Sequence, residues 1–288
     1  MAQGPIFSPV ELGMITDCTL QYHFWRQTPA EPEAVALAEV VGETIAYLHA
    51  AGGPQRLNLP ATLRDMTRFI PAIYQDNVPF QTAARQMTAN YHRRLKTEWA
   101  RVIASNEAVA LNIRLGRGLL QVEGVVERVD KEEEGGITAV QFKPSPRPIP
   151  TRNLETDIET TLWHALAAAA YPDKRPVRVK YLWLYHNREE GVELSEKQYR
   201  ANLEKVKGRA QAWLGGEILA RPGPYCAACP FKYRGCPVYQ NEIPADLPET
   251  LTEEEAADLP DSPLSATFLA RNQSFAKDGD FVENKTDP

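Results

Sequence analysis

Residues 119–143 read LLQVEGVVERVDKEEEGGITAVQFK. Two β-branched, apolar-rich runs, 122–130 and 137–143, flank a charged turn that ends in Gly135-Gly136. Such runs, separated by a short polar stretch with glycine, read as adjacent antiparallel strands. A third run over 108–115, with Ile113 and Leu115, precedes them. Residues 108–115, 119–129 and 137–143 therefore predict a three-stranded antiparallel meander. Pro144, Pro146, Pro148 and Pro150 end it, because proline cannot donate to a strand ladder.

Outward from the meander the texture is helical. Toward the C-terminus, 153–170 predicts a helix, 177–185 (VRVKYLWLY) a strand, and 195–214 an amphipathic helix. Toward the N-terminus, Ser8 before Pro9 suits a helix N-cap with proline at the first helical position. Val35, Ala38, Val41, Ile45 and Leu48 fall at helical spacing within 32–50. A Gly/Pro-rich break over 51–60 leads to helices at about 61–74 and 79–104. The order is a helical region, three strands, a helix, a strand and a helix. It predicts a mixed α/β (α+β) domain with a helical N-terminal subdomain.

The strands also carry candidate chemistry. Gln141 and Lys143 are two apart and share a strand face, opposite Phe142. An antiparallel neighbour brings Glu127 close to them. Oxygen ligands beside a lysine can hold Mg²⁺ against a phosphodiester. The metal lowers the pKa of a bound water, and Lys143 orients that water or offsets developing charge. Taken alone, these residues fit a solvated strand face better, since that is where charged strand residues usually belong.

The four cysteines form a second pattern. Cys18 stands near the N-terminus, and Cys226, Cys229 and Cys236 sit together as C-x2-C-x6-C. Four thiolates saturate a [4Fe-4S] cluster or a structural zinc; two disulfides are the remaining alternative. Residues 1–20 lack the basic start and apolar core of a signal peptide, and no apolar run approaches the ~18–20 residues needed to span a bilayer. The expectation is a soluble cytoplasmic chain, where thiols stay reduced, and this favours a metal. A site made from both ends of a chain also couples metal binding to folding of everything between.

The formal net charge of −6 divides unevenly. Residues 241–288 hold 12 acidic and 3 basic residues, a net of −9, which leaves the remainder at +3. The expected organisation is a domain over 1–240, with a helical insert at about 51–105 and the cysteine cluster at 226–236. An acidic, disordered tail over 241–288 follows. A mildly basic body permits nucleic-acid binding through a local patch.

Four stretches resemble the PD-(D/E)XK nuclease superfamily, in particular its RecB-like iron–sulfur branch, which includes AddB nuclease domains and CRISPR-associated RecB-like exonucleases. Ser8-Pro-Val-Glu-Leu through Cys18 resembles the branch's opening. Gly124-Val-Val-Glu-Arg-Val-Asp130 resembles Gly-x-x-Asp-Arg-x-Asp. Val140-Gln-Phe-Lys143 resembles the Asp/Glu-x-Lys strand, and the Cys triad resembles C-x2-C-x5-C. The resemblance covers about residues 6–240. It implies a restriction-endonuclease-like αβββαβ core stapled by a four-Cys cluster, and a Mg- or Mn-dependent deoxyribonuclease of exonuclease type active in DNA repair. Glu127, Gln141 and the Phe142 carbonyl would be metal ligands, Lys143 catalytic and Asp130 a supporting residue. Cys18, Cys226, Cys229 and Cys236 would bind the cluster. DNA, as single strands or duplex ends, would be the substrate, and a helicase the partner. The chain departs from the pattern at Glu127 (Asp expected), Gln141 (Asp or Glu), Ala46 (His, with His49 nearby), Glu159 and Trp163 (Gln and Tyr), and by one extra residue before Cys236. These departures leave a second reading: a catalytically inactive DNA-binding or complex-assembly subunit that keeps the fold. A third is a zinc-stabilised binding module.

Overall fold

The structure, a computed structural model, describes residues 5–28, 32–116, 118–147, 149, 152–223, 225–226, 229–232 and 236–239. The acidic segment expected over 241–288 lies outside the described residues. The elements follow in the order β1 (Ile6–Phe7), α1 (Pro9–Asp17), α2 (Thr19–Gln27), α3 (Pro32–Ala50), α4 (Leu59–Met66), α5 (Val78–Glu98), β2 (Val102–Leu115), β3 (Gly118–Lys131), β4 (Ile137–Lys143), α6 (Ile158–Ala170), β5 (Val177–Trp183), β6 (Arg188–Glu193) and α7 (Glu196–Leu214).

The predicted meander is present as β2–β3–β4, each pair antiparallel. β4 then pairs in parallel with β5 through the α6 crossover, and β6 folds back antiparallel on β5. This mixed sheet, with helices on both faces, is consistent with a restriction-endonuclease-like core. β4 is its centre, and all seven of its residues are buried. Alternation divides them: Ile137 and Ala139 belong to a core built with α1, α6 and α7, whereas Val140 and Phe142 join one built with α3, α4 and α5.

Local chemistry sets most boundaries. Ser8 forms a reciprocal capping box with Glu11, and Ser195 forms one with Gln198. α6 starts at Ile158, later than the predicted 153, because Asp157 caps it by accepting the Thr160 N–H at 2.7 Å. The helix predicted over 61–74 stops at Met66; Pro71 precedes only a short 3₁₀ turn at Ala72–Tyr74. The helix predicted over 79–104 ends at Glu98, since from Val102 onward the chain pairs with β3. β6 was not foreseen. It is an edge strand reading REEGVE, and edge strands carry charge that masks strand periodicity.

Candidate active site

The β3–β4 ladder runs from Lys131↔Ile137 to Arg128↔Val140 and stops there. The freed edge of β3 is taken up further along by β1, through Phe7↔Val122. In β2, Asn106 adopts a left-handed φ of 53° at the level of Glu127. Val126 and Val129 both belong to the same core, so the side-chain alternation of β3 slips once at Glu127. β3 and β4 therefore part where Glu127 and Gln141 face each other, and side chains bridge the gap. The Glu127 carboxylate accepts the Phe142 N–H, and Gln141 Nε2 donates to the Val125 carbonyl at 3.4 Å.

Glu127, Gln141 and Lys143 are 6%, 4% and 4% exposed, so none of them lies on the solvated face that their types alone would suggest. Lys143 donates to Glu159 Oε1 at 2.8 Å and stands 5.0 Å from the centre of the Tyr181 ring. Trp163, fully buried, donates Nε1–H to the same Glu159 oxygen at 3.3 Å. Burial alone would raise the Glu159 carboxyl. Lys143 and Arg152 outweigh it and hold the group below its ordinary range, as an anion.

Asp130 does not join this group. Arg128 and Asp130 are two apart and share the opposite face of β3, where Arg128 Nη2 meets Asp130 at 2.7 Å and Glu98 of α5 at 2.5 Å. Burial raises the Asp130 carboxyl, with Arg128 opposing. Behind this pair, Tyr91 OH lies 2.6 Å from His49 Nε2. Asp130 and His49 thus brace the sheet against α3 and α5, on the face opposite Lys143. Phe142 enters the site through its main chain only, for its ring packs 4.9 Å from Tyr91 on that other face.

A single carboxylate (Glu127), an amide (Gln141, whose Nε2 donates to Val125) and a main-chain carbonyl (Phe142) would supply an all-oxygen donor set. Such a set suits Mg²⁺ or Mn²⁺, which keep several waters and bind through one or two carboxylates plus substrate phosphates. Sequence reasoning missed the roles of Glu159 as partner of Lys143 and of Arg152 and Tyr181 beside it. Only Glu159 carried a signal, its place one turn before Trp163 in the helix after the lysine strand.

The four cysteines are free, so the disulfide alternative is not realised. All four line one pocket, together with Phe24, Tyr225, Phe231 and Tyr239. Cys18 sits at the break between α1 and α2, and Leu219 ties that break to the C-terminal segment through hydrogen bonds with Thr19 and Leu20. Burial pushes the Cys229 thiol up to about 11, with its cysteine neighbours adding to the rise. Among the described residues, no three His, Cys, Asp or Glu side chains are gathered tightly enough to hold one metal ion. Phe24 packs on Phe231 (5.5 Å) and Tyr22 on Trp25 (5.8 Å), so these aromatics are packing groups of that end of the molecule.

Among solved structures, the crystal structure of SSO0001 aligns with a TM-score of 0.35 and 11% identity, covering 78% of this chain and 95% of that chain. No curated protein matches the chain. The model of the PD-(D/E)XK nuclease superfamily matches residues 6–237, from β1 through the last cysteine, and the chain belongs to that superfamily.

Proposed function

We propose that this protein is a metal-dependent DNA nuclease of the RecB-like type, with Glu127, Gln141 and the Phe142 carbonyl as metal ligands and Lys143 as the catalytic lysine. The observation that carries the reading is the parting of β3 and β4 around Glu127, with Gln141 and Lys143 buried on the strand that departs. A bound divalent cation would supply a water of lowered pKa and offset phosphate charge. The protein's own part is positional. Glu159 holds the Lys143 ammonium beside that gap, and the closed surroundings strengthen each charge interaction. The nuclease unit would span residues 1–240, and the resemblance extends the proposal to a helicase partner.

We further infer a [4Fe-4S] cluster on Cys18, Cys226, Cys229 and Cys236. Free thiols that line one pocket support a shared four-thiolate centre, and the resemblance favours the cluster over zinc.

The inactive-subunit reading is favoured by Gln141, which removes one charge from the metal site. Cleavage assays on single-stranded and duplex DNA with Mg²⁺ or Mn²⁺ separate the two. The nuclease reading expects metal-dependent cleavage by wild type, lost by roughly a hundredfold or more in Lys143→Ala at unchanged fold. Absence of cleavage by wild type under both metals selects the inactive subunit. Cleavage that survives Lys143→Ala rejects this site altogether.

A further inference from the structure

Lys143 is one of two cations on the face of Tyr181. Arg152, on the segment that leads from β4 into α6, sets its guanidinium 4.0 Å from the centre of that ring, and Lys143 Nζ is 5.0 Å from the same point. Both cations share one carboxylate: Glu159 takes Lys143 on Oε1 at 2.8 Å and Arg152 Nη1 on Oε2 at 3.4 Å. Asp157 lies 3.6 Å from the same Nη1. Tyr181 also holds the guanidinium, through its ring face and a side-chain hydrogen-bond interaction. Arg152 Nε and Nη2 are buried, and neither has a hydrogen-bond partner among the described residues.

Those two N–H groups point the same way from a rigid plane, the fork that takes two oxygens of a phosphate or carboxylate side by side. Buried donors are almost always satisfied, and a charged donor left bare is costly to fold around. One edge of Arg152 is thus anchored and its plane fixed on Tyr181, while the second edge is preorganised for an oxyanion beside Lys143.

We propose that the Nε–Nη2 edge of Arg152 binds a non-bridging oxygen pair of the DNA backbone phosphate presented to Lys143. Arg152 is then a substrate-contacting residue of the centre, its anchor being the same Glu159 that holds the lysine. The identity of the anion rests on the nuclease reading; the unpartnered edge of the guanidinium does not.

The test is equilibrium binding of a fluorescein-labelled single-stranded oligonucleotide to the full chain in Ca²⁺, followed by anisotropy. Arg152→Gln and Arg152→Lys should each weaken binding about tenfold, since lysine keeps the charge but lacks the fork. Arg200→Gln removes one exposed charge, paired with Glu196 on α7, and should change it less than about twofold. A single neutral methylphosphonate is then walked along the oligonucleotide. In wild type, one linkage should lose about tenfold on neutralisation, and in Arg152→Lys, which keeps only point-charge contacts there, the same linkage should lose clearly less. If Arg152→Gln does not fold, the lysine variant and the wild-type scan decide. Binding by folded Arg152→Lys within about twofold of wild type, or identical methylphosphonate profiles in the two proteins, overturns the proposal. Metal-dependent cleavage is read in parallel. Wild type and Arg152→Lys cutting equally well sinks Arg152 and leaves the nuclease. A wild type that does not cut, yet shows the Arg152-dependent linkage, sinks the nuclease and leaves Arg152 as a DNA-phosphate contact.

Discussion

Gly124 shows how one residue governs the site from a distance. A Cβ at this position would sit 2.6 Å from Trp163 Cη2 and 2.7 Å from Cζ3, inside any real contact. Trp163 is fully buried and cannot swing away, and its Nε1–H holds Glu159, which in turn holds Lys143. The glycine of the β3 motif is therefore required by the indole that crosses it, quite apart from any substrate. Gly124→Ala should destabilise the protein by about 1–3 kcal/mol, read as a lower urea midpoint at unchanged slope. Trp163→Phe removes the two colliding atoms, so the double variant should lose less than the sum of the singles. Additive losses would mean that the collision is relieved elsewhere. At this scale the sequence shows which residue types meet, but not which partners they take. Lys143 and Gln141 are legible as a pair because a strand alternates. That Arg152 lies over Tyr181 depends on how the chain turns back between β4 and α6, and no periodicity encodes that path.

Elements were more legible than contacts. α3 matches its predicted bounds because its apolar spacing and the glycines after it agree, and β4 does so because a charged turn and a proline delimit it. The polar edge strand β6 and the two-residue β1 were invisible, for neither has enough apolar positions to show a period. The packing of α3 on α5 brings a titratable group into the interior. Burial, with Arg128 nearby, depresses His49 to about 4. A base with a lowered folded pKa takes up its proton in the unfolded chain first. Its contribution to stability is complete above pH 6.5 and is lost as pH falls from about 6.5 to about 4, to a limit of roughly 3 kcal/mol. Asp17 works in the opposite sense, because burial and Asp157 raise it to about 7, so the total pH curve mixes the two. The informative quantity is the difference in unfolding free energy between wild type and His49→Gln, a variant that can keep the bond to Tyr91 but does not titrate. That difference should be level above pH 7 and should shift against wild type between pH 6.5 and 5. A constant difference would show that His49 is not held neutral.

On the scale of the whole molecule, two features join or oppose distant parts of the chain. The first is the cysteine pocket, where α1 and α2 meet the segment after α7. Leu219 already ties these ends by hydrogen bonds, so a cluster would add to an existing closure. Cys18→Ser should therefore lose iron and acid-labile sulfide together and lower the thermal midpoint. Wild-type protein that is colourless and binds stoichiometric zinc would replace the cluster by the zinc alternative. The second feature is charge. The net −9 of residues 241–288 opposes the +3 of the rest, so the chain as a whole is acidic although its body is not. That segment is poorer in apolar residues than the chain as a whole, and we propose that it is dispensable for folding: its removal should leave the thermal midpoint of the 1–240 chain unchanged. Binding of DNA should respond instead. An acidic segment tethered to a basic body competes with phosphates for the same cations, and this competition is screened over about 10 Å at 0.1 M salt. Deletion of 241–288 should therefore tighten DNA binding at low salt. The advantage should fade as salt rises, and the plot of log affinity against log salt should steepen. A cooperative loss of structure on deletion would show that the segment docks on the domain. Unchanged affinity at every salt concentration would show that it does not compete for the DNA surface.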